Sequence, residues 1–453
     1  MDTKFSRIKD ALNLVVLFKM VRNGIWPLFF IYTILVPHYY FYNDLFSHNL
    51  FILLKYLHVF LIAIAMILNK DLFLYRIRKW YGEYTISKYV LSSAVVYISV
   101  CLLSLYPGGV TGVNLAKLVY YILTGPALFF IVIGTIGNGY IEEYTRHISI
   151  LTCLSVAVGV SEIIWGYKFL WSPELGLFKY PYTAANSLRP IFTSGNPLYS
   201  STLFCLVLPI AMSLSVKEFI ETKKIEDIKG FVFSVIIVAG ILLSVSLGAY
   251  ITIFFVISLL YMFFRRNEIQ CTKYFTFFFL FVVAILCIVV SLDNKFLSQD
   301  GFGRITNKFE SLEKFKEVHW ERLHRYTIAI NVAEKSPLLG IGFGTYAQKF
   351  DELKGNYPKG YESRVAENMF LTIFTETGTA GLLSFALLLT SILWNLSQIE
   401  DYRKQLFVIA IACSILNMFF WDSLTQPTVR MYFWFFAGLL FTTENDVRLN
   451  QPD

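Results

Sequence analysis

The sequence predicts an all-α polytopic membrane protein of about 12 transmembrane helices with a long, partly helical, outward-facing loop. Of its 453 residues, 56% are hydrophobic and 17% aromatic, and the mean hydropathy is +0.57. Only 16% are charged, where a soluble chain carries about a quarter. Apolar runs of about 20 residues, the length that crosses a bilayer, recur along the whole chain. Forty-three Phe and 28 Tyr exceed what a water-facing surface absorbs.

The runs lie at about 24–42, 49–68, 88–106, 114–137, 147–165, 197–215, 229–246 and 247–264. Further runs lie at about 274–292, 367–395, 404–422 and 426–442. The nearly continuous pair 229–264 breaks at Ser244–Gly248 and predicts a tight hairpin. Residues 1–292 therefore hold nine spans behind a basic amphipathic segment, Met1 to Arg22, read as cytoplasmic. Residues 293–366 form the long loop, and 367–453 hold three spans and a tail.

The connectors set the topology. Lys70, Arg76, Arg78, Lys79 and Lys88 fall between spans two and three, and Lys217, Lys223, Lys224 and Lys229 between six and seven. Arg265, Arg266 and Lys273 follow span eight, and Arg403 and Lys404 precede span eleven. All fall on one side in a twelve-span chain. Short basic loops are cytoplasmic, so both termini are expected inside and the loop 293–366 outside. The net charge of +7 is spent on these connectors and forms no nucleic-acid face. Six cysteines, at 101, 153, 205, 271, 287 and 413, lie in or beside apolar runs without a CxxC pair. They predict neither a metal site nor a disulfide framework.

Within the loop, Ile305, Phe309, Leu312, Phe315, Val318, Leu323 and Ile328 recur mostly at three- and four-residue spacing. That period predicts one or two amphipathic helices over 304–336 at the membrane boundary. Pro337 ends them, and Gly340-Ile341-Gly342-Phe343-Gly344 forces a turn-rich return.

Three stretches can carry chemistry. In Arg189-Pro190-Ile191-Phe192-Thr193-Ser194-Gly195-Asn196-Pro197, Asn196 and Pro197 form an N-cap and N1 pair. The helix start beside Arg189 suits a phosphate, although an arginine there also suits a lipid headgroup. In Trp320-Glu321-Arg322-Leu323-His324-Arg325-Tyr326, Arg322 and Arg325 share a helix face and could clamp a diphosphate without a metal; a solvated face is the alternative. In Ala366-Glu367-Asn368-Met369-Phe370-Leu371, with Glu376-Thr377-Gly378 following, Glu367 opens a span. It either complements the helix dipole or serves as a general base. Walker, HExxH, GxSxG and DxD patterns are absent, and few charges fall mid-span, where ion-coupled transporters place them.

Together these stretches resemble the O-antigen ligase/polymerase superfamily, which includes Wzy-type polysaccharide polymerases and lipopolysaccharide O-antigen ligases. The resemblance covers about residues 180–400. It rests on Arg189 ahead of a span-opening Pro, Arg322 ahead of the Pro337-Leu338-Leu339-Gly340-Ile341-Gly342 turn, and the 366–382 stretch. Two departures stand out: Glu367-Asn368 replaces a common His-Asn, and Ser246-Leu247-Gly248 replaces a common Ser-Arg-Gly.

The resemblance implies a membrane glycosyltransferase fold of the GT-C type and a glycan donor on undecaprenyl diphosphate. It also implies a metal-free reaction, without cofactor, at the periplasmic face of a bacterial inner membrane. On that basis Arg189 and Arg322 would meet the diphosphate, with Arg325 or Arg304 standing in for the missing arginine. Glu367 would accept the proton of the attacking hydroxyl, and inversion would follow. Asn368, Asn196 and Tyr326 would line the substrate, and Trp165, Tyr167, Trp171, Tyr180 and Tyr182 would offer stacking faces to sugars. A polymerase is expected, with a chain-length regulator and a flippase of the same pathway as partners. An O-antigen ligase, or a transporter of lipid-linked glycans, is the alternative.

Overall fold

Runs of Leu, Ile, Val and Phe without water-facing periodicity can form only buried or lipid-facing helices, because a bilayer leaves backbone groups no other partner. The computed structural model shows this all-α architecture. It describes residues 24–35, 56–83, 85–164, 190, 192–193, 196–222, 229–244, 246–266, 312–353, 366–394 and 401–442. Among them there is no strand. The run 274–292, Arg189, Arg304, and the aromatic residues from Trp165 to Tyr182 lie outside the described residues.

The helices are α1 (Gly24–Leu35), α2 (Leu57–Leu68), α3 (Lys70–Glu83), α4 (Thr85–Gly108), α5 (Gly112–Leu123), α6 (Pro126–Thr135) and α7 (Ile141–Ile164). They continue as α8 (Pro197–Thr222), α9 (Lys229–Leu243), α10 (Leu247–Arg266), α11 (Leu312–Lys335) and α12 (Tyr346–Leu353). The last three are α13 (Met369–Trp394), α14 (Tyr402–Asn417) and α15 (Pro427–Leu439). Among the described residues, six helical segments are long and apolar enough to cross a membrane, or seven if the bent α2–α3 pair is one span. Leu103, Phe254, Met262 and Leu387 are among the exposed large apolar side chains, as a lipid-facing surface requires. α15 is buried at every position and packs against α6, α8 and α14 as the centre of the bundle. α4 lies along α13, and α8 along α9 and α14.

Three expectations change in detail. The connector at Lys70–Lys79 is not a loop but helix α3, turned 82° from α2. It holds by burying Trp80 edge-on against Phe129, Phe130 and Phe441. The run 114–137 is interrupted at Thr124-Gly125, where a Cβ on Gly125 would come within 2.6 Å of the Tyr121 carbonyl oxygen. The runs 404–422 and 426–442 form helices of 16 and 13 residues. Residues 418–426 between them make a turn, longer than the expected 423–426 connection, which carries Trp421 and Asp422.

One end of the bundle gathers the chemistry. The 337–345 turn meets the end of α4, where Gly342 and Gly108 approach so closely that a Cβ on Gly342 would lie 2.5 Å from the Gly108 Cα. Lys117 near the start of α5 donates to the Gly344 carbonyl at 3.0 Å. The start of α8 reaches the 418–426 turn through Tyr199 and Trp421, whose ring centroids are 6.0 Å apart. Gly248 at the start of α10 sits against Phe420. The helix directions then put Lys88, Arg265, Arg266 and Arg403 at the opposite end.

Candidate active site

The 337–345 turn is built into a break in α13. Gly378 has φ 65° and ψ −167°, a conformation open only to glycine. At that point the helix exchanges its own hydrogen bonds for bonds to the turn. The Thr375 and Glu376 carbonyls, which residues 379 and 380 would normally use, instead accept the N–H groups of Ile341 (2.9 Å) and Gly342 (3.0 Å). The N–H groups of Thr379 and Ala380 donate to the Pro337 (2.8 Å) and Leu338 (3.2 Å) carbonyls. A Cβ on Gly340 would lie 2.3 Å from the Glu376 carbonyl carbon, and one on Gly378 2.3 Å from that of Leu338. Glycine is therefore a requirement of contact here as well as of φ. The half-buried Glu376 side chain accepts the N–H groups of Gly344 (2.9 Å) and Tyr346 (3.2 Å), the latter opening α12.

α11 crosses above this turn as a single helix over the described part of the expected 304–336 stretch. Ile328, Ala329 and Val332 bury against Tyr346, Phe350 and Ala366 in a small core of their own. That packing turns the arginine face of α11 toward the start of α13. Arg322 Nε donates to Glu367 Oε2 at 2.8 Å, and Arg325 Nη1 to Glu367 Oε1. The Arg325 and Glu367 side chains are only 10% and 12% exposed, whereas Arg322 keeps 31%. Arg322 is thus the member open to an arriving anion.

Glu367 has φ 54°, left-handed for a residue with a side chain, at about 1–2 kcal/mol. Its N–H donates to Asp422 Oδ2 at 3.1 Å. A hydrogen bond to a charged group contributes about 1.5–3 kcal/mol, enough to offset that strain. Asp422 Oδ1 accepts the Thr372 hydroxyl at 2.8 Å. Burial pushes the Asp422 carboxyl up to about 6, against the hydrogen bonds from Thr372 and the Glu367 backbone. Asn368 caps α13, accepting the N–H groups of Phe370 (3.0 Å) and Leu371 (3.1 Å). Its amide donates to the Phe419 carbonyl at 3.1 Å, and Tyr326 lies near its side chain.

The structure therefore brings together Arg322, Arg325, Tyr326, Glu367 and Asn368. Asn196 is the N-cap of α8, accepting the Leu198 N–H at 2.8 Å, and its helix joins the group through the 418–426 turn. Asp422 and Arg430 were missed. Both sit in or beside runs read only as apolar. Arg430 is buried on α15, donates to the Thr124 hydroxyl (3.0 Å) and the Leu424 carbonyl (2.9 Å), and lies over the Tyr121 ring at 4.7 Å. An acidic or basic residue near the end of an apolar run was the available signal.

The fold and the site define a polytopic helical membrane protein with an arginine–carboxylate centre at one end of its bundle. Residues 232–386 match the Wzy_C family model, described as O-antigen ligase. Over these residues the chain is similar to the O-antigen ligase/polymerase superfamily, whose members are glycosyltransferase-like enzymes of O-antigen assembly. The match runs from α9 through the loop to α13 and contains Arg322, Arg325, Glu367 and the broken helix. No curated protein matches the chain.

Proposed function

We propose that the protein is a polysaccharide polymerase, moving a glycan from a polyprenyl-diphosphate donor to a sugar hydroxyl of a second lipid-linked unit. The observation that carries this reading is the meeting of Arg322 and Arg325 with Glu367, from segments 42 and 45 residues apart. In the reaction the acceptor oxygen bonds to the donor's anomeric carbon as the C–O bond to diphosphate breaks. The hydroxyl proton passes to Glu367, and the leaving polyprenyl diphosphate carries its negative charge to the arginines. Guanidinia preorganised at that charge in a partly dry site lower the barrier most. Arg322 and Arg325 exchange Glu367 for the diphosphate as donor binds, which frees the carboxylate to take the proton. Attack opposite the leaving group inverts the anomeric centre.

Arg189 is assigned to the same diphosphate, and Arg304 and Asn196 to substrate binding. The full complement is about 12 spans in a GT-C-type arrangement within a bacterial inner membrane, with both termini cytoplasmic and the site on the periplasmic face. The basic residues at the end of the bundle opposite the site support that orientation.

Purified protein given a defined polyprenyl-diphosphate repeat unit should yield a ladder of glycans with inverted linkages. A ligase, which the description of the matched family favours, would stop at one transfer, to lipid A core or another acceptor, with no second repeat unit needed. Movement of the lipid across a vesicle membrane with no new glycosidic bond would indicate transport instead.

A further inference from the structure

Three carboxylates outside the arginine–glutamate centre, at this end of the bundle, hold backbone N–H groups. Asp422 receives the Glu367 N–H, and Glu376 receives those of Gly344 and Tyr346. The third is Glu162 near the end of α7, 4% exposed. Its Oε2 accepts the N–H of Phe192 at 3.2 Å. Phe192 and Glu367 are the two non-glycine residues with positive φ among the described residues, at 56° and 54°. Each is a strained residue in a motif stretch, and each has its N–H held by a buried acid from a distant segment.

The Phe192 ring is wholly buried and packs edge-on to Phe204 at 5.1 Å, filling the space over Gly159. Thr193 beside it donates to the Ile34 carbonyl at 2.7 Å and shares a hydrogen bond with Ser155 at 2.6 Å. The return from Arg189 into α8 is therefore pinned at Phe192 and Thr193, three and four residues downstream of that arginine.

We infer that Glu162, Glu376 and Asp422 are positioning residues, one for each motif of the site. Glu162 fixes the Arg189 stretch, Glu376 the 337–345 turn under α11, and Asp422 the residue that carries the base. The acids lie 30, 32 and 55 residues from the N–H groups they hold, so none is a local cap. This assignment of roles in transfer rests on the proposed reaction; the anchoring itself does not.

The number of N–H groups held sets the test. Glu376 uses both oxygens on N–H donors, so a Gln there turns an amide NH2 against a backbone N–H. Asp422 holds one N–H and one hydroxyl, and a hydroxyl can reverse its role. Glu162 holds the Phe192 N–H through Oε2, which a Gln carbonyl oxygen can replace. Hydrogen exchange should therefore rise about tenfold or more over 342–346 in both E376A and E376Q. It should rise similarly over 190–193 in E162A and over 366–368 in D422A, and E162Q and D422N should restore protection. In the transfer assay E162A should raise KM for the lipid donor and D422A should lower kcat, each rescued by its amide.

Exchange that rises evenly across all three segments in any alanine variant would make the acids general stabilisers and overturn the inference. So would wild-type protection in E376Q. Absence of glycan transfer by wild-type protein would remove the proposed reaction, while the exchange pattern would still decide the anchoring.

Discussion

At Glu367 the backbone and the side chain answer to different partners, and the site depends on keeping them apart. Asp422 takes the N–H and the α11 arginines take the carboxylate. The Asp422 carboxyl, ordinarily at 3.8, is raised by burial to about 6, so ionising it costs more in the folded chain than in the unfolded one. That contribution to stability is complete below about pH 4 and is lost as pH rises through about 6. D422N has no charge to bury. Its thermal midpoint in detergent should therefore gain on wild type as pH goes from 5 to 7, and a gap that stays constant with pH would contradict this. The shared helix face of Arg322 and Arg325 and the place of Glu367 and Asn368 at the start of α13 were legible in sequence from i,i+3 spacing and from position at a span start. The role of Asp422 was not, because its partner is 55 residues away and nothing local marks an acid in a turn as a backbone acceptor.

On the scale of elements, the Pro337–Thr345 turn and α13 are one unit, since each completes the other's hydrogen bonds. G378A should destabilise the protein by on the order of 1–3 kcal/mol through backbone conformation alone, with the overlap on Leu338 added to that. The accompanying loss of transfer should exceed that of an alanine placed at exposed Leu383 in the same helix. Equal stability of G378A and wild type, by thermal unfolding in detergent, would mean the break is not held by the turn. The turn itself was readable from Pro337 and three alternating glycines. Its docking into a helix was not, because Thr375-Glu376-Thr377-Gly378 sits in an apolar run that reads as continuous. The same limit hid the α2–α3 bend, where the basic run from Lys70 suggests a loop but Trp80 and Phe73 supply an apolar face.

Across the whole molecule the helix directions gather the 337–345 turn, the 418–426 turn and the starts of α8, α10 and α13 at one end. The short basic segments fall at the other. In the proposed orientation, Q348C should react with an impermeant maleimide on intact cells with an accessible periplasm, and K88C only after lysis. The reverse pattern would invert the topology. The membrane class, most helix positions and the superfamily were legible because composition, span length and motif order are properties of the chain itself. Which helices cross fully, and where they break, depends on neighbours: 13-residue α15 survives by being buried on every side. The central claim is that Arg322, Arg325 and Glu367 form the transfer centre, and the rate of glycan transfer by purified variants tests it most directly. Arg322→Ala and Glu367→Gln should each lose about a hundredfold or more in kcat/KM while remaining folded, and the double variant should lose little beyond the worse single one. Wild-type rates in both single variants would show that the chemistry lies elsewhere.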